Sequence, residues 1–477
     1  MSKKITADVA IIGAGIIGCN IALELNKLGV RNVAVFDRFP CGAGSGTTSY
    51  SSAIVRCFYS VPDMIHFSWE SYQVWLNWAD HLGVVLDEDG RVPACTPGFP
   101  AAGASVPAFY ECGACLLRTP TASTFIDEQL PNYEKVGIKY SLLDYAETED
   151  LVGKKLGWDI SKSYVPRRMD DAKFDEPVEG AKVTGSLWIP ETGYVSDPRL
   201  AAQNVAAAAK ARGTEFYFGA DVTAIHQEGG AIRGLKLKDG TEVSCPVVVN
   251  AAGPFSASIT ALAYPSNASG PLNDMTIKPR ALRAEVAILE PPPGVDMKKD
   301  GLITADFDLG FYLKPEAGGR MLVGSIDPEC DPHQYVEQNE LENMDTALGD
   351  MYEHCIYRAA LRMPEMPIPN SRSTRGAVST YDVSEDWQPV LDKSNIEGFY
   401  MAIGTSGNCF KVSPVIGQVM AALIKKTEDS RAASQGERFD HDATPLQMPL
   451  PLIGQTLNVG AFSRLRKLHK TTAGVIG

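Results

Sequence analysis

A strand, a glycine turn, a helix and a second strand follow one another within the first forty residues, and no other feature restricts the fold as much. Residues 8–12 are a short β-branched apolar run, expected as a buried strand, and Gly13-Ala-Gly15-Ile-Ile-Gly18 follows at once. From Ile16 onward, Ile17, Ile21, Leu25 and Leu28 recur at helical spacing, and Gly29 supplies a stop. Asn32-Val-Ala-Val-Phe36 is expected as a second buried strand ending on Asp37. Each part suits the grip on a dinucleotide. Gly13 makes the turn, Gly15 lets the backbone approach a pyrophosphate, and Gly18 lets helix and strand pack closely. The helix N-terminus faces the phosphates, and Asp37, 19 residues past Gly18, is placed to accept ribose hydroxyls. A glycine motif alone can merely turn a corner; here the flanking strands, helix and acid carry the reading. NAD and FAD fit it equally.

Composition narrows the partners. A net charge of −14 over 477 residues argues against nucleic acid and anionic membranes, whose phosphates the mean field repels. No apolar run reaches the roughly 18–20 residues of a bilayer span, and Val9–Ile12 is too short for a signal-peptide core. The ten cysteines are spread thinly, which predicts reduced thiols and a cytoplasmic protein. Cys112-Gly-Ala-Cys115 is the sole CxxC, without a second pair or spaced histidines, so no metal site is expected.

Three later segments decide the cofactor. Gly193-Tyr-Val-Ser-Asp197-Pro198 opens an Ala-rich helix, with Asp197 as N-cap and Pro198 in the first turn. Residues 231–237 and 241–243 flank Asp239-Gly240, a hairpin signal, before Val247-Val-Val-Asn-Ala-Ala-Gly-Pro254, a buried strand entering a small-residue turn. Near the C-terminus, Gly398-Phe-Tyr-Met-Ala-Ile-Gly404-Thr-Ser-Gly407-Asn-Cys-Phe-Lys411-Val-Ser413-Pro414 reads as strand, glycine-rich loop and capped helix. Together these motifs resemble the D-amino-acid oxidase superfamily of FAD enzymes, in particular its sarcosine oxidase and dimethylglycine dehydrogenase branch. The likeness spans nearly the whole chain and is weakest over residues 85–190. It implies an α/β fold: a discontinuous Rossmann-type FAD-binding domain and a second domain on a mainly antiparallel sheet.

The resemblance also implies site residues. FAD contacts would come from Gly13, Gly15, Ile16, Ile17 and Gly18, from Asp37 and Arg38, and from Gly46, Thr47, Thr48, Ser52 and Ala53 in the Gly/Ser/Thr-rich run. Val222, Ala251, Ala252 and Gly253 would add to them, as would Gly404, Gly407, Asn408, Phe410 and Lys411. The 404–411 loop lies against the isoalloxazine in that family, and the positive end of the next helix would stabilise the charge of reduced flavin. Arg56, in Ala53-Ile-Val-Arg56-Cys-Phe-Tyr59, and Lys411 match the cations on the substrate carboxylate; an Arg56 clamp on the pyrophosphate and an exposed Lys411 are the alternatives. Tyr381 is a further catalytic candidate, and it lines the pocket with Tyr59 and Tyr312 unless these rings only pack.

Three departures from the family pattern matter. Ser379 stands where covalently flavinylated relatives carry cysteine, and Gly42–Tyr59 holds no histidine, so non-covalent FAD is expected. Leu322 stands where oxidases of the branch place a lysine over the flavin, with Arg320 as a candidate substitute. Ala53 replaces a common basic residue and opens space. None of the seven histidines lies in the motif loops, and each is expected at the surface or behind the site.

The expected domains are 1–84, 191–272 and 374–430 for FAD, and 85–190 and 273–373 for substrate, with a tail over 431–477 packing on the body. Residues 85–190 suit a lid or an oligomer contact, so a homo-oligomer is compatible with the sequence. Met64–Leu82 is expected as one helix with Ile65, Trp69, Tyr72, Leu76 and Ala79 buried. The basic stretch 464–470 suits a solvated face or contact with the acidic body. The expected activity is FAD-dependent oxidation of an N-methyl or other secondary or tertiary amino acid, a small carboxylate substrate. A 2-hydroxy acid dehydrogenase would need a base, usually histidine, in the loops; deaminating oxidation and a flavin-binding assembly protein without turnover are the remaining alternatives.

Overall fold

Alternation along the strands builds both faces of the central sheet. In Val9–Ile12 and Val33–Asp37, Val9, Ile11, Val33 and Val35 point into one core, whereas Ala10, Ile12, Ala34 and Phe36 point into another. Both strands are buried on both faces, as a parallel sheet requires. The computed structural model describes residues 4–92, 104–120, 122–264, 274–433 and 438–469. Cys95, Lys470 and the end of the tail lie outside these residues.

Among the described residues, six strands form this sheet in the order Glu215–Phe218, Val33–Asp37, Val9–Ile12, Val247–Asn250, Phe399–Ile403, Val390–Lys393. Every pair is parallel except the last. Helices Ile16–Lys27, Pro198–Ala211 and Ser413–Ala432 cover one face through Ile21, Leu25, Val205, Val415 and Val419. A four-stranded sheet of Lys4–Thr6, Val222–Glu228, Ala231–Leu237 and Glu242–Ser244 covers the other. The Asp239-Gly240 hairpin forms as expected, with Gly240 at φ +85°. Asp197 caps its helix by accepting the Leu200 N–H at 2.9 Å.

A nine-stranded sheet stands beside it, again counting the described residues. Arg280–Leu289, Arg320–Ser325, Phe311–Glu316 and Ile303–Asp306 run antiparallel, and Gly376–Val383 pairs with Arg280–Leu289. Part of the segment read as a lid or oligomer contact instead extends this sheet. Ala114–Arg118 pairs in parallel with Ile303–Asp306, and Gly185–Ile189 and Ser141–Leu143 follow. Phe311 and Leu313 face the core under helix Asp350–Arg362; Tyr312, between them, faces the parallel-sheet side.

The single helix expected over 64–82 is two: Pro62–Leu76 and Trp78–Leu82. Asn77 breaks it, leaving helical geometry while its side-chain amide donates to the Gln73 carbonyl, a local bond that competes with the helix. Leu76 is 43% exposed, contrary to the expected stripe; Trp75 and Trp78 are buried instead and stack at 4.2 Å. The basic stretch near the C-terminus lies on acids. Arg464, 2% exposed along its side chain, meets Asp274 at 2.6 Å, Asp392 at 3.0 Å and Asp442 at 2.8 Å, and Arg466 meets Asp386 at 2.7 Å. No helix among the described residues is long and apolar enough to cross a membrane.

These burial patterns set opposite expectations for neighbouring residues. Trp75→Ala should cost about 3–5 kcal/mol by leaving a cavity, and Leu76→Ala should stay within about 0.5 kcal/mol. Urea midpoints of the two variants check both.

Candidate active site

The glycine turn is a cradle that side chains would fill. Gly13 sits at φ +111°, and a Cβ there would lie 2.3 Å from the Ala251 carbonyl oxygen. A Cβ on Gly18 would lie 1.9 Å from the Gly13 carbonyl oxygen, so helix and strand meet backbone to backbone. A Cβ on Gly15 would meet only the Thr48 hydroxyl, at 3.2 Å. Gly15 is the N-cap and brings no capping side chain; the Ile16 N–H is met by Thr48 Oγ1 at 3.1 Å. Ile16 is buried and Ile17 half-buried against the core. Asp37 accepts the Ala14 N–H at 2.7 Å and the Phe39 N–H at 2.8 Å. Burial pushes its carboxyl up, and those two N–H groups hold it down.

Neighbouring loops close on this turn. Gly46 caps the short helix Thr47–Tyr50, and Thr47 Oγ1 lies 3.8 Å from where a Gly253 Cβ would stand. Ala251 and Ala252 follow the strand next to Val9–Ile12, with the Ala251 N–H donating to the Ile12 carbonyl. Arg38 lies over the Phe255 ring at 4.5 Å and pairs with Glu342 and Asp221. The Val222 side chain packs in the apolar core with Ile12 and Phe36, which leaves only its main chain for a ligand. A glycine cradle, a helix start without its own cap and an acid at the strand end fit the ADP half of FAD.

The second glycine loop is pinned by a residue that sequence reasoning leaves out. Asp382, 3% exposed in strand Gly376–Val383, accepts the Gly404 N–H at 2.6 Å and the Ser256 hydroxyl at 3.0 Å. Its own carbonyl accepts the Ser406 N–H at 2.7 Å. One carboxylate thus ties the 404–407 loop to the turn after Val247–Asn250. Burial pushes it up to about 7 despite those donors. Its only sequence signal is an acid inside a strand. The adjacent Tyr381 ring fills the space a Gly407 Cβ would take, 2.7 Å away. Tyr381 also meets the Tyr312 hydroxyl, which in turn meets Ser52. The helix Ser413–Ala432 follows; its N-cap is Val412, so the expected side-chain cap is absent, and Ser413 Oγ instead accepts from Asn20.

Arg56 and Lys411 come together from opposite ends of the chain. Both are 5% exposed. The Arg56 guanidinium lies 4.3 Å from the Tyr59 ring centre and donates to the Phe58 carbonyl; Lys411 Nζ lies 5.6 Å from the same ring centre. Lys411 donates to the Asn408 carbonyl at 2.6 Å, which also accepts the Tyr59 hydroxyl at 3.3 Å. Trp75 stacks on Phe410 at 5.3 Å and donates its indole N–H to the Lys411 carbonyl. Lys411 is therefore not the exposed lysine of the alternative reading. Burial, and then the Arg56 charge, hold Lys411 well below the usual lysine range. Ala53 holds φ +53° just before the strand Ile54–Val55 that delivers Arg56, and its carbonyl accepts the Val195 N–H.

The sheet side completes the picture. Leu322 packs in the same core as Tyr312, and the lysine opposite it in register, Lys314, is turned onto Glu316 at 2.8 Å. Arg320, the candidate substitute, pairs with Glu290 at 2.9 Å at the protein surface and stays clear of the site. Among the described residues, no histidine is among the groups that act on Lys411 or Tyr59. His81, His354 and His441 are buried elsewhere, contrary to a surface placement.

A glycine cradle on a parallel sheet, with buried Arg56 and Lys411 beside it, fits a dinucleotide-binding protein. The chain belongs to the FAD dependent oxidoreductase family, which it matches over residues 8–423. It is 22% identical to the sarcosine oxidase subunit beta of Rhizobium meliloti over 437 residues, covering 91% of this chain and 88% of that one. It is 25% identical to the glycine oxidase of Geobacillus kaustophilus over 424 residues, covering 88% and 93%. The L-proline dehydrogenase from P. horikoshii shares the fold at a TM-score of 0.68, with 18% identity and 98% of each chain covered.

Asp382 carries a pH signature. Its folded-state value is raised, so the stability it contributes is complete below the unfolded carboxyl range and is lost as pH rises towards about 7. Asp382→Asn does not titrate, so wild type minus variant should fall between pH 4 and pH 8, by an amount on the order of 4 kcal/mol. Denaturation curves at the two pH values measure it; equal differences would contradict the assignment.

Proposed function

We propose that this protein is an FAD-dependent amine oxidoreductase acting on the carbon next to nitrogen of an N-methyl or other secondary or tertiary amino acid. The observation that carries this reading is the meeting of Arg56 and Lys411 over Tyr59, one from each glycine-rich loop. Both side chains are buried at the same ring, and a small carboxylate bound by them would supply the counter-charge that favours their cationic forms. The names of the related proteins, a sarcosine oxidase subunit and a glycine oxidase, support an amino-acid substrate.

FAD, when bound, supplies the two-electron acceptor for a hydride from the substrate carbon. The cradle residues Gly13, Gly15, Ile16, Gly18, Asp37, Thr47, Thr48 and Gly253 would hold its ADP half, and Gly404, Gly407, Asn408 and Phe410 its ring half. With Ser379 in place of cysteine, the grip is non-covalent. Arg56 and Lys411 bind and orient the carboxylate, and Tyr59, Tyr312 and Tyr381 close the pocket against water. The imine product then hydrolyses to an aldehyde or keto acid and a smaller amine. The FAD part comprises 1–84, 191–272 and 374–430, and the substrate part 85–190 and 273–373. Among the described residues no histidine acts on Lys411, which counts against a 2-hydroxy acid, whose hydroxyl proton needs a base.

Anaerobic flavin absorbance tests the reading. Sarcosine-like amino acids should bleach the flavin and 2-hydroxy acids should not; a flavin left oxidised by every amine would refute it. Arg56→Ala and Lys411→Met should each weaken substrate binding about 10- to 100-fold with FAD content unchanged. Loss of FAD with unaltered affinity in the remaining holoenzyme would reassign that residue to the cofactor.

A further inference from the structure

Lys411 is enclosed in a way that suits an amine better than an ammonium. Among the described residues, its buried Nζ donates to the Asn408 carbonyl and no acidic side chain is among the groups that act on it. A second cation, Arg56, shares the same aromatic ring. An ammonium there would have lost its water without gaining a counter-charge, and a lysine so placed gives up its proton.

We propose that Lys411 is a neutral amine in the substrate-free enzyme and takes the ammonium proton of the incoming amino acid. The inference rests on the reading above, in which Arg56 and Lys411 hold the substrate carboxylate. An amino acid arrives as a zwitterion, and its ammonium form cannot release hydride, because the nitrogen lone pair that must form the imine is tied up in an N–H bond. Binding puts the carboxylate beside Lys411 and supplies the missing counter-charge. One substrate N–H bond breaks, one Nζ–H bond forms, and the electron pair stays on the substrate nitrogen. Charge is conserved: the zwitterion becomes an amine with a carboxylate, and the lysine becomes the cation that pairs with it. The acid–base step thus needs no histidine.

The groups around Lys411 leave it the role. Cys57 and Cys409 are pushed up to about 12 by burial, and Tyr59 and Tyr133 are pushed up as well. Arg56 stays cationic at neutral pH. Asp382, which acts on Cys409 from the strand behind the loop, is pushed up to about 7 by burial, so the test must separate it from Lys411.

Methoxyacetate, a carboxylate with no amine to oxidise, provides the test on the FAD-loaded enzyme. Calorimetric titration at pH 7.5, in two buffers of different ionisation enthalpy, should show about one proton taken up per ligand bound. In the wild type and in Asp382→Asn, but not in Lys411→Arg, affinity should fall about tenfold per pH unit above neutrality. Lys411→Arg keeps the charge and cannot accept a proton, so it should bind methoxyacetate with uptake near zero, whereas Asp382→Asn should keep the uptake. Wild-type binding without proton uptake, or with uptake surviving in Lys411→Arg, would overturn the inference while leaving the carboxylate site standing. If methoxyacetate does not bind at all, the carboxylate reading falls and the inference with it.

Discussion

Main chain against main chain is the constraint on which the rest of the molecule depends. At the carboxyl ends of the parallel strands, Gly13 lies so close to the Ala251 carbonyl, and Gly18 to the Gly13 carbonyl, that neither position admits a side chain. Those approaches bring the two central strands, the first helix and the turn after Val247–Asn250 to one point. Thr47 and Thr48 reach the same point from the Gly/Ser/Thr-rich run. The helix start that results has no capping side chain of its own, and its positive end suits an anion in the cradle.

Charge is arranged around that frame with unequal care. Of the tail arginines, Arg464 meets Asp274, Asp392 and Asp442 and Arg466 meets Asp386, which holds the C-terminal segment against strand Val390–Lys393 and the turn before it. Asp382, a lone buried acid, pins that loop from within. Lys411, just after that loop, meets a carbonyl and an aromatic ring and, among the described residues, no acid. Cationic pairing is dense in the tail, whereas Lys411 sits where the proposed substrate carboxylate would supply its counter-charge.

Local signals were enough for much of this. Strand alternation, the Asp197-Pro198 helix start and the Asp239-Gly240 hairpin are short-range features, and each forms where its residues predict. The nine-stranded sheet is less legible, because Ala114–Arg118 joins Ile303–Asp306 across nearly two hundred residues and nothing local announces the partner. The stripe over 64–82 failed at Asn77, where a side-chain bond to the backbone redirected the helix and turned Leu76 outward. In the site, Arg56 and Lys411 were legible through their loops. Asp382 was not, since its role arises only where three distant segments cross.

In the proposed site, Arg56 and Lys411 together hold one acid group beside the flavin. A crystal structure of the FAD-loaded enzyme with a bound carboxylate inhibitor tests this most directly. The carboxylate oxygens should lie within hydrogen-bond distance of both the Arg56 guanidinium and Lys411 Nζ. A structure with Arg56 on the FAD pyrophosphate, or with the inhibitor's carboxylate bound away from Lys411, would contradict it.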